Sequence, residues 1–162
     1  MTIETLSPPV APALLSRLHE LNEDHAVELS SLTSARLEQL MAAAFLADAD
    51  STGDALLLAF DQDGDYDSPN FLWFRERYAR FVYVDRVVVS ATRRGEGLAR
   101  QLYERLFAGA RATGHDCVVC EVNYDPPNPA SDLFHEKLGF NEVGRAHLSD
   151  RGKGVRYLFK AL

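Results

Sequence analysis

The pattern of hydrophobic and polar positions predicts two amphipathic helices in the first third of the chain. Pro12 suits the first turn of the earlier helix, which extends to Asp24 and has one apolar face, formed by Leu14, Leu15, Leu18 and Leu21. Thr33 or Ser34 can cap the start of the later helix, whose apolar face comprises Leu37, Leu40, Met41 and Ala44.

Shorter apolar runs predict the strands of a sheet. Residues 81–90, FVYVDRVVVS, are β-branched almost throughout and give the strongest strand signal. Residues 45–48 and 55–60 flank a turn that contains Gly53, which is typical of a hairpin. Further strands are predicted at residues 117–122, 140–148 and 155–162, the last two on either side of the turn SDRGKG.

Two more helices are predicted between these strands. The first ends near Gly114, and its apolar face comprises Leu98, Ala99, Leu102, Tyr103, Leu106, Phe107 and Ala110. The second covers about residues 130–138 and ends at Gly139. The element order ααβββαβαββ, with a first strand allowed near residues 2–6, predicts one mixed α/β sheet in a single domain of residues 1–162.

The segment from Asp61 to Arg80 breaks the pattern, and a connection of this length is usually functional or disordered. Its aromatic side chains argue against disorder. Two interpretations stay open, a packed loop or short helix that walls a pocket, or a surface excursion that is anchored to the core. The aromatic residues concerned are Tyr66, Phe71, Trp73, Phe74 and Tyr78.

Charge and composition weigh against several classes of function. The net charge of −7 disfavours a nucleic-acid binder, because phosphates require a basic face. No apolar run reaches the length of a membrane span, and the N-terminus lacks the basic start and apolar stretch of a signal peptide. We therefore expect a cytoplasmic protein without a nucleic-acid or membrane partner.

Cys117 and Cys120 are the only cysteines, and they have C-x-x-C spacing. A redox pair with this spacing opens a helix, whereas these residues lie in a predicted strand. No second such pair occurs, and His115 and His135 lack zinc-finger spacing. We predict two core thiols and no metal site.

A glycine-rich turn joins the strongest strand to a helix, in the sequence Arg93-Arg94-Gly95-Glu96-Gly97-Leu98-Ala99. Glycines let the backbone turn tightly, and exposed N–H groups at a helix start can hold a pyrophosphate. A Rossmann fingerprint would need a third glycine at Arg100, and a P-loop would need Gly-Lys-Ser/Thr. The turn therefore suits phosphate groups but fits neither nucleotide motif.

Two motifs together resemble the GNAT superfamily of N-acetyltransferases. Arg94, Gly97 and Ala99 are similar to the acetyl-CoA signature Arg/Gln-x-x-Gly-x-Gly/Ala. Downstream, NPAS at residues 128–131 and FHEKLGF at 134–140 resemble the second motif, an Asn-led short helix that ends in Gly-Phe. The resemblance extends from about Val82 to Phe140. It implies the GNAT fold, a mixed and mostly antiparallel central sheet flanked by helices, and acetyl-CoA as the cofactor.

The resemblance also implies where acetyl-CoA binds. Two central strands would splay apart to admit the thioester, and the pantetheine arm would pair like an added strand with the backbone of Val87, Val88 and Val89. N–H groups of the turn would hold the pyrophosphate, at Arg94, Gly95, Glu96, Gly97, Leu98 and Ala99. The second motif adds the candidates Asn128, Ser131, Phe134 and Lys137, although Asn128 also suits a helix N-cap and Phe134 could belong to the core.

Three side chains are candidates for catalysis. Strand alternation would place Tyr83, Asp85, Val87 and Val89 on one face, and Asp85 is either the leading base or an ion-pair partner of Arg86 or Arg80. Glu121 on the neighbouring strand is a second base or a structural hydrogen-bond acceptor. His135 stands where many relatives have a tyrosine that protonates the leaving thiolate. It could serve as that acid or only hydrogen-bond CoA.

Acceptor contacts are predicted near the first helix and in the aromatic segment. The candidates are Asn22, Tyr66, Asn70, Trp73 and Tyr83, with His25 and Glu28, and each also has an ordinary interpretation as a cap or loop residue. We expect acetyl transfer to a primary amine of a small molecule, such as an amino-acid-like acceptor, by direct attack in a ternary complex. The alternatives are a catalytically silent acyl-CoA-binding regulatory domain and a protein or peptide N-acetyltransferase. The resemblance also allows a homodimer, because members of the family often dimerise, and the sequence leaves the oligomeric state open.

Overall fold

A seven-stranded sheet forms the centre of the computed structural model, which describes residues 2–162. Its strands are β1 Ile3–Thr5, β2 Leu46–Asp50, β3 Ala55–Asp61, β4 Val82–Val89, β5 Cys117–Asp125, β6 Asn141–Leu148 and β7 Lys153–Ala161. They lie in the order β1-β2-β3-β4-β5-β7-β6, and all neighbours are antiparallel except β4 and β5. This arrangement confirms the predicted fold class.

Six α-helices occur within residues 2–162. They are α1 Pro12–Asp24, α2 Ala26–Leu29, α3 Ser34–Ala43, α4 Pro69–Arg75, α5 Leu98–Ala112 and α6 Pro129–Lys137. The bounds of α1 agree with the prediction, and the Thr33 hydroxyl caps α3 by accepting the N–H of Arg36 at 3.0 Å. None of the helices in the described chain combines the length and apolarity needed to cross a membrane.

Apolar side chains pack on both faces of the sheet. Helices α1, α3 and α4 cover one face with residues such as Leu18, Leu37 and Phe71, and α5 covers the other face. Cys117 lies in the first core and Cys120 in the second, because strand residues three apart point to opposite faces. Both thiols are free and buried, which confirms the prediction of core thiols.

The aromatic segment between β3 and β4 is a packed loop that contains α4. The Tyr66 ring stacks on Phe60 at 4.5 Å, and the Trp73 indole stacks on Tyr157 at 4.1 Å. Tyr66 and Asn70 also line a large cavity. Both interpretations of the segment therefore hold, because some of its residues anchor it and others wall a pocket.

A β-bulge in β4 changes which residues share a face. Leu58 of β3 pairs with Arg86 while the next residue, Ala59, pairs with Val84, so Asp85 is an extra residue in β4. Tyr83 packs in the core under α1 and α4, whereas Val87 and Val89 pack towards α5. The prediction that Tyr83, Asp85, Val87 and Val89 lie on one face is therefore wrong, because the bulge shifts the alternation by one residue.

Strands β4 and β5 separate soon after they begin. They pair only through Val82 with Val118 and through Tyr83 with Val119. Beyond Tyr83 the edge of β4 that faces β5 has no strand partner, although β3 still pairs with the other edge as far as Val89. The predicted splay of the two central strands is confirmed, and it positions the site described next.

Candidate active site

The separation of β4 and β5 opens a cleft in the middle of the sheet. Its walls come from both strands, from Tyr103 on α5 and from α6. A large cavity of about 570 Å³ lies beside it, walled by α3, the start of α4 and the turn between β6 and β7. The linings of the cleft and of the large cavity share six residues, and Asp85, Arg86 and Glu121 are among them. These three residues therefore stand where the two spaces meet.

A hollow of about 310 Å³ lies at the start of α5. Gly95 and Gly97 have φ angles of +85° and +79°, in the left-handed region that glycine adopts readily. No side chain caps α5, so the first N–H groups of this helix lack an intrahelical partner and a cap. The lining includes eight of the predicted cofactor residues, Val89, Arg94, Gly95, Gly97, Leu98, Ala99, Phe134 and Lys137.

Charged side chains brace the glycine turn. Arg93 donates to the carboxylate of Glu96 at 2.7 Å and to Asp54 at 3.1 Å. Arg94 donates to Nε2 of His25 at 2.9 Å, because Nδ1 of that histidine carries the hydrogen that the Leu21 carbonyl accepts. His25, a predicted acceptor contact, therefore supports the turn from the end of α1.

Glu121 has the most perturbed carboxyl group of the site. Its Oε1 accepts hydrogen bonds from Nδ2 of Asn70 and from the Tyr83 hydroxyl, each at 3.0 Å. Its Oε2 is buried and has no partner in the described chain. Burial raises the pKa of Glu121 to about 8, and the nearby Asp85 adds to the rise. A carboxyl group with this pKa can exchange a proton near neutral pH.

The Asp85 side chain is buried, and each of its two carboxylate oxygens has a hydrogen-bond partner. Its Oδ2 accepts from Nε of Arg86 at 2.8 Å, and its Oδ1 accepts from the Tyr66 hydroxyl at 2.5 Å. Arg86 also donates from Nη1 to the Asn22 side chain at 2.7 Å. The ion pair with Arg86, one of the two interpretations of Asp85, is therefore present.

His135 and Tyr103 form a buried pair in the wall of the cleft. Nδ1 of His135 lies 2.7 Å from the Ser131 carbonyl oxygen, which can only accept, so Nδ1 carries the hydrogen. Nε2 of His135 therefore accepts from the Tyr103 hydroxyl at 2.7 Å. Burial lowers the pKa of His135 and favours this neutral form.

Tyr103 is a site residue that the sequence indicated only as part of an apolar helix face. The available signal was its hydroxyl, because a buried tyrosine hydroxyl usually has a hydrogen-bond partner. That partner, His135, lies on a different helix and could not be identified from helical spacing. Arg86 was likewise considered only as a partner of Asp85, whereas it also lines the cleft and the large cavity.

Four of the seven acceptor candidates line the large cavity, namely Glu28, Tyr66, Asn70 and Tyr83. Asn22 is fully buried, and its side chain binds the Ser30 carbonyl, Glu23 and Arg86. Trp73 packs on Tyr157, and a Cβ on Gly144 would come within 2.5 Å of its ring. The structure therefore places Asn22 and Trp73 behind the cavity wall, where they support it.

Comparison with known proteins identifies the family. The family model described as acetyltransferase (GNAT) family matches residues 35–140, which is more than half of the chain. The chain belongs to the GNAT acetyltransferase family. It is thus an acyltransferase of the acetyl-CoA-dependent kind, with acetyl-CoA as the cofactor.

Solved GNAT acetyltransferases share the fold along the whole chain. An aminoglycoside 6'-N-acetyltransferase complexed with coenzyme A has 15% identity and a TM-score of 0.74, over 99% of this chain and 97% of that one. Ard1 from Thermoplasma volcanium has 15% identity and a TM-score of 0.75, with the same coverage. NAA60 from Arabidopsis thaliana, in complex with a bisubstrate analogue, has 16% identity and a TM-score of 0.71, over 99% and 98%. No curated protein matches the chain by sequence.

The hollow beside α5 fits the phosphates of the GNAT cofactor. A Cβ on Gly95 would meet no atom within 4 Å, and one on Gly97 would meet only the Gln101 side chain at 4.0 Å. The backbone of the turn is therefore open to a ligand. Arg94, Arg100 and Lys137 add positive charge to the lining, and such groups bind phosphate together with helix N–H groups.

The second GNAT motif caps α6 and also lines the cleft. Oδ1 of Asn128 accepts the N–H of Ser131 at 3.4 Å, which confirms the predicted N-cap of α6. Both residues also line the cleft, together with His135. Phe134, the residue before His135 in α6, lines the hollow at the start of α5. One short helix therefore borders the cleft and the hollow.

Proposed function

We propose that this GNAT protein transfers an acetyl group from acetyl-CoA to the primary amine of a small molecule, by direct attack in a ternary complex. The observation that carries the proposal is Glu121, a carboxylate with one buried and unpartnered oxygen at the junction of the large cavity and the cleft. An amine must lose a proton during transfer, and such a group can receive it.

In this proposal acetyl-CoA lies along the edge of β4 and the start of α5. N–H groups from Arg94 to Ala99 hold the pyrophosphate, and the backbone of Val87, Val88 and Val89 holds the pantetheine arm along the edge that β5 leaves free. Asn128, Ser131 and Phe134 border the same path. The bound cofactor supplies the activated acetyl group.

Glu121 acts as the general base. Tyr83 and Asn70 hold its Oε1, and this leaves Oε2 for the proton of the amine. Because the pKa of Glu121 is about 8, its deprotonated fraction grows as the pH rises from neutral values. Asp85 pairs with Arg86 and positions the wall of the site.

The Tyr103 hydroxyl acts as the proton donor towards the departing sulfur when its O–H turns from Nε2 of His135 into the cleft, and the tyrosinate that this leaves regains a proton from water. The hydroxyl lines the cleft, and Nε2 of His135 holds it in place. The family resemblance implies that in many relatives a tyrosine at the position of His135 supplies this hydroxyl. Here we assign His135 the role of a positioning residue, because its Nε2 carries no hydrogen and accepts from Tyr103, while its Nδ1 hydrogen points away to the Ser131 carbonyl.

The size of the large cavity supports a small acceptor. Its volume of about 570 Å³ is typical of small-molecule sites, which range over roughly 300–1,000 Å³. Tyr66, Asn70 and Tyr83 contribute polar groups to its lining.

Calorimetric titration with acetyl-CoA tests the cofactor site. Ala99→Glu puts a carboxylate in the first turn of α5, where the helix tolerates it but the cofactor phosphates would meet like charge. Ala99→Gln is the neutral control of similar size. We expect wild type and Ala99→Gln to bind with about micromolar affinity and Ala99→Glu to bind at least about 100-fold more weakly.

Release of free thiol from acetyl-CoA then tests the transfer itself, with small amines and with peptides as acceptors. Turnover with small amines supports the proposal. Turnover with peptides alone would identify a protein N-acetyltransferase. Tight binding of acetyl-CoA without turnover of either class would identify a silent regulatory domain, and it would contradict the proposal.

A further inference from the structure

The large cavity contains three cationic side chains that the proposed chemistry does not use. Arg36 comes from α3, Arg151 from the turn between β6 and β7, and Lys153 from the start of β7. Within residues 2–162 none of the three forms an ion pair with a carboxylate. The nearest polar contact is from Nζ of Lys153 to the Ser30 hydroxyl, at 3.4 Å.

This gathering of cations stands out in an acidic chain. The sequence has 24 acidic and 17 basic residues, and several arginines elsewhere are paired with carboxylates. Arg17 contacts Asp54 at 2.9 Å, and Arg105 contacts Asp48 at 2.7 Å. Three unpaired cations around one cavity create a positive field that attracts an anion.

The carboxyl groups that line the same cavity do not fully cancel this positive field. Asp85 is neutralised by Arg86, and burial holds Glu121 partly protonated at neutral pH. Glu28 and Asp67 are exposed, as are Arg36 and Arg151, and the three cations outnumber these two remaining carboxylates. Burial lowers the pKa of Lys153, Arg151 adds to the decrease, and Glu121 and Glu28 oppose it. An anion bound beside Arg151 and Lys153 would relieve their mutual repulsion.

The backbone conformation of Ser30 indicates that its neighbours constrain this part of the cavity wall. Its φ angle is 73°, and it is the one non-glycine residue among residues 2–162 with a positive φ. Its carbonyl accepts the Asn22 side chain at 3.1 Å, and its hydroxyl lies beside Lys153. Backbone strain of this kind persists where the surroundings enforce it, often at ligand sites.

We infer that the acceptor carries an anionic group, a carboxylate or a phosphate, in addition to the amine that Glu121 deprotonates. The inference rests on the proposed function. Arg36, Arg151 and Lys153 bind the anion while the amine reaches Glu121. Tyr157 pairs with Glu121 and lies on the same strand as Lys153, so roughly 13 Å of strand separates the two positions. This separation suits an acceptor with several bonds between its amine and its anion.

Matched acceptors test the inference through thiol release from acetyl-CoA. The series pairs ω-amino acids and ω-aminoalkyl phosphates of increasing length with alkylamines that lack the anion. We expect wild type to use an anionic acceptor with a kcat/KM at least about tenfold above that of its neutral partner. The better of the carboxylate and phosphate arms identifies the anion.

The double variant Arg36→Gln/Arg151→Gln should raise KM for the anionic acceptor about tenfold, with little change in kcat or in the use of neutral amines. Arg111→Gln is the control, because Arg111 is an exposed arginine at the end of α5 and outside the lining of the cavity. Equal use of neutral and anionic acceptors, or an unchanged double variant, would overturn the inference alone. Acetyl-CoA binding without turnover of any acceptor would overturn the proposed function as well.

Discussion

The two strands that border the cleft each carry a carboxylate, but the surroundings of the two groups differ. On β4, both oxygens of Asp85 have partners, Arg86 and Tyr66. On β5, Glu121 has no cationic partner and one buried oxygen without any partner in the described chain. Burial in an ion pair fixes a charge, whereas burial without a cation favours proton exchange. The role of each carboxylate therefore follows from its partners.

The bulge in β4 explains part of this difference. Consecutive residues of a regular strand point to opposite faces, so Asp85 and Arg86 would not pair there. Because Asp85 is the extra residue of the bulge, its carboxylate and the Arg86 guanidinium reach one another at 2.8 Å. β5 is regular at Glu121, which pairs with Tyr157 in β7 and has no such neighbour.

Replacement of the unpaired carboxylate should have the largest effect. Glu121→Gln keeps the size and the hydrogen-bonding capacity of the side chain but removes the base. We expect kcat/KM to fall about 1,000-fold, because general bases contribute roughly 10²–10⁴-fold. Acetyl-CoA affinity, measured by calorimetry, should stay within about twofold of wild type. A loss of activity below about tenfold would remove Glu121 from the role of base.

Replacement of the paired carboxylate should act mainly on stability. Asp85→Asn leaves the buried Arg86 without its counter-charge, and we expect the free energy of unfolding to fall by about 3 kcal/mol. Urea denaturation at neutral pH measures this change. Glu121→Gln under the same conditions should cause no comparable loss. If Asp85→Asn were as stable as wild type, the ion pair would not have the structural role assigned to it.

The stability of wild type should depend on pH through Glu121. Its pKa is about 8 in the folded protein against an ordinary value of 4.5, so the fold favours the protonated form. This contribution is complete below about pH 4.5 and is lost as the pH rises towards about 8. Relative to Glu121→Gln, wild type should lose about 1.4 kcal/mol per pH unit in that range. The free energy of unfolding of both proteins is measured by urea denaturation at each pH. If it changed with pH in the same way for the two proteins, the raised pKa of Glu121 would be contradicted.

Removal of the Tyr103 hydroxyl should have the smallest effect on activity. Tyr103→Phe keeps the ring in the core and removes only the proton donor, so we expect kcat to fall about tenfold with unchanged acetyl-CoA affinity. Tyr78→Phe, outside the site linings, serves as the control. An unchanged kcat for Tyr103→Phe would show that the leaving thiolate needs no acid from this residue.

Structural features that depend only on residues adjacent in the sequence could be predicted from it. The start of α1 at Pro12, the Thr33 cap and the glycine turn all follow from local backbone preferences. Most of the predicted cofactor residues accordingly line the hollow at α5 or the cleft. The bulge at Asp85 could not be predicted, because VYVDRVVV shows no interruption and the irregularity arises in pairing with β3.

The acceptor side of the site depends on contacts between distant segments. Glu121 gains its properties from Asn70 and Tyr83, and Tyr103 is held by His135. None of these pairs has a fixed spacing in sequence, so tertiary packing alone brings them together. The same holds for Trp73. It stacks on the distant Tyr157, and this contact, which the sequence does not reveal, places it behind the cavity wall.

The pH dependence of kcat/KM, measured for wild type and Glu121→Gln, tests the role of Glu121 most directly. The acceptor should be an amine whose own pKa lies well above that of Glu121, so that its titration does not overlap. We predict that kcat/KM of wild type rises to a plateau with an apparent pKa of about 8 and that the variant lacks this rise. The same rise in both proteins would show that another group receives the proton.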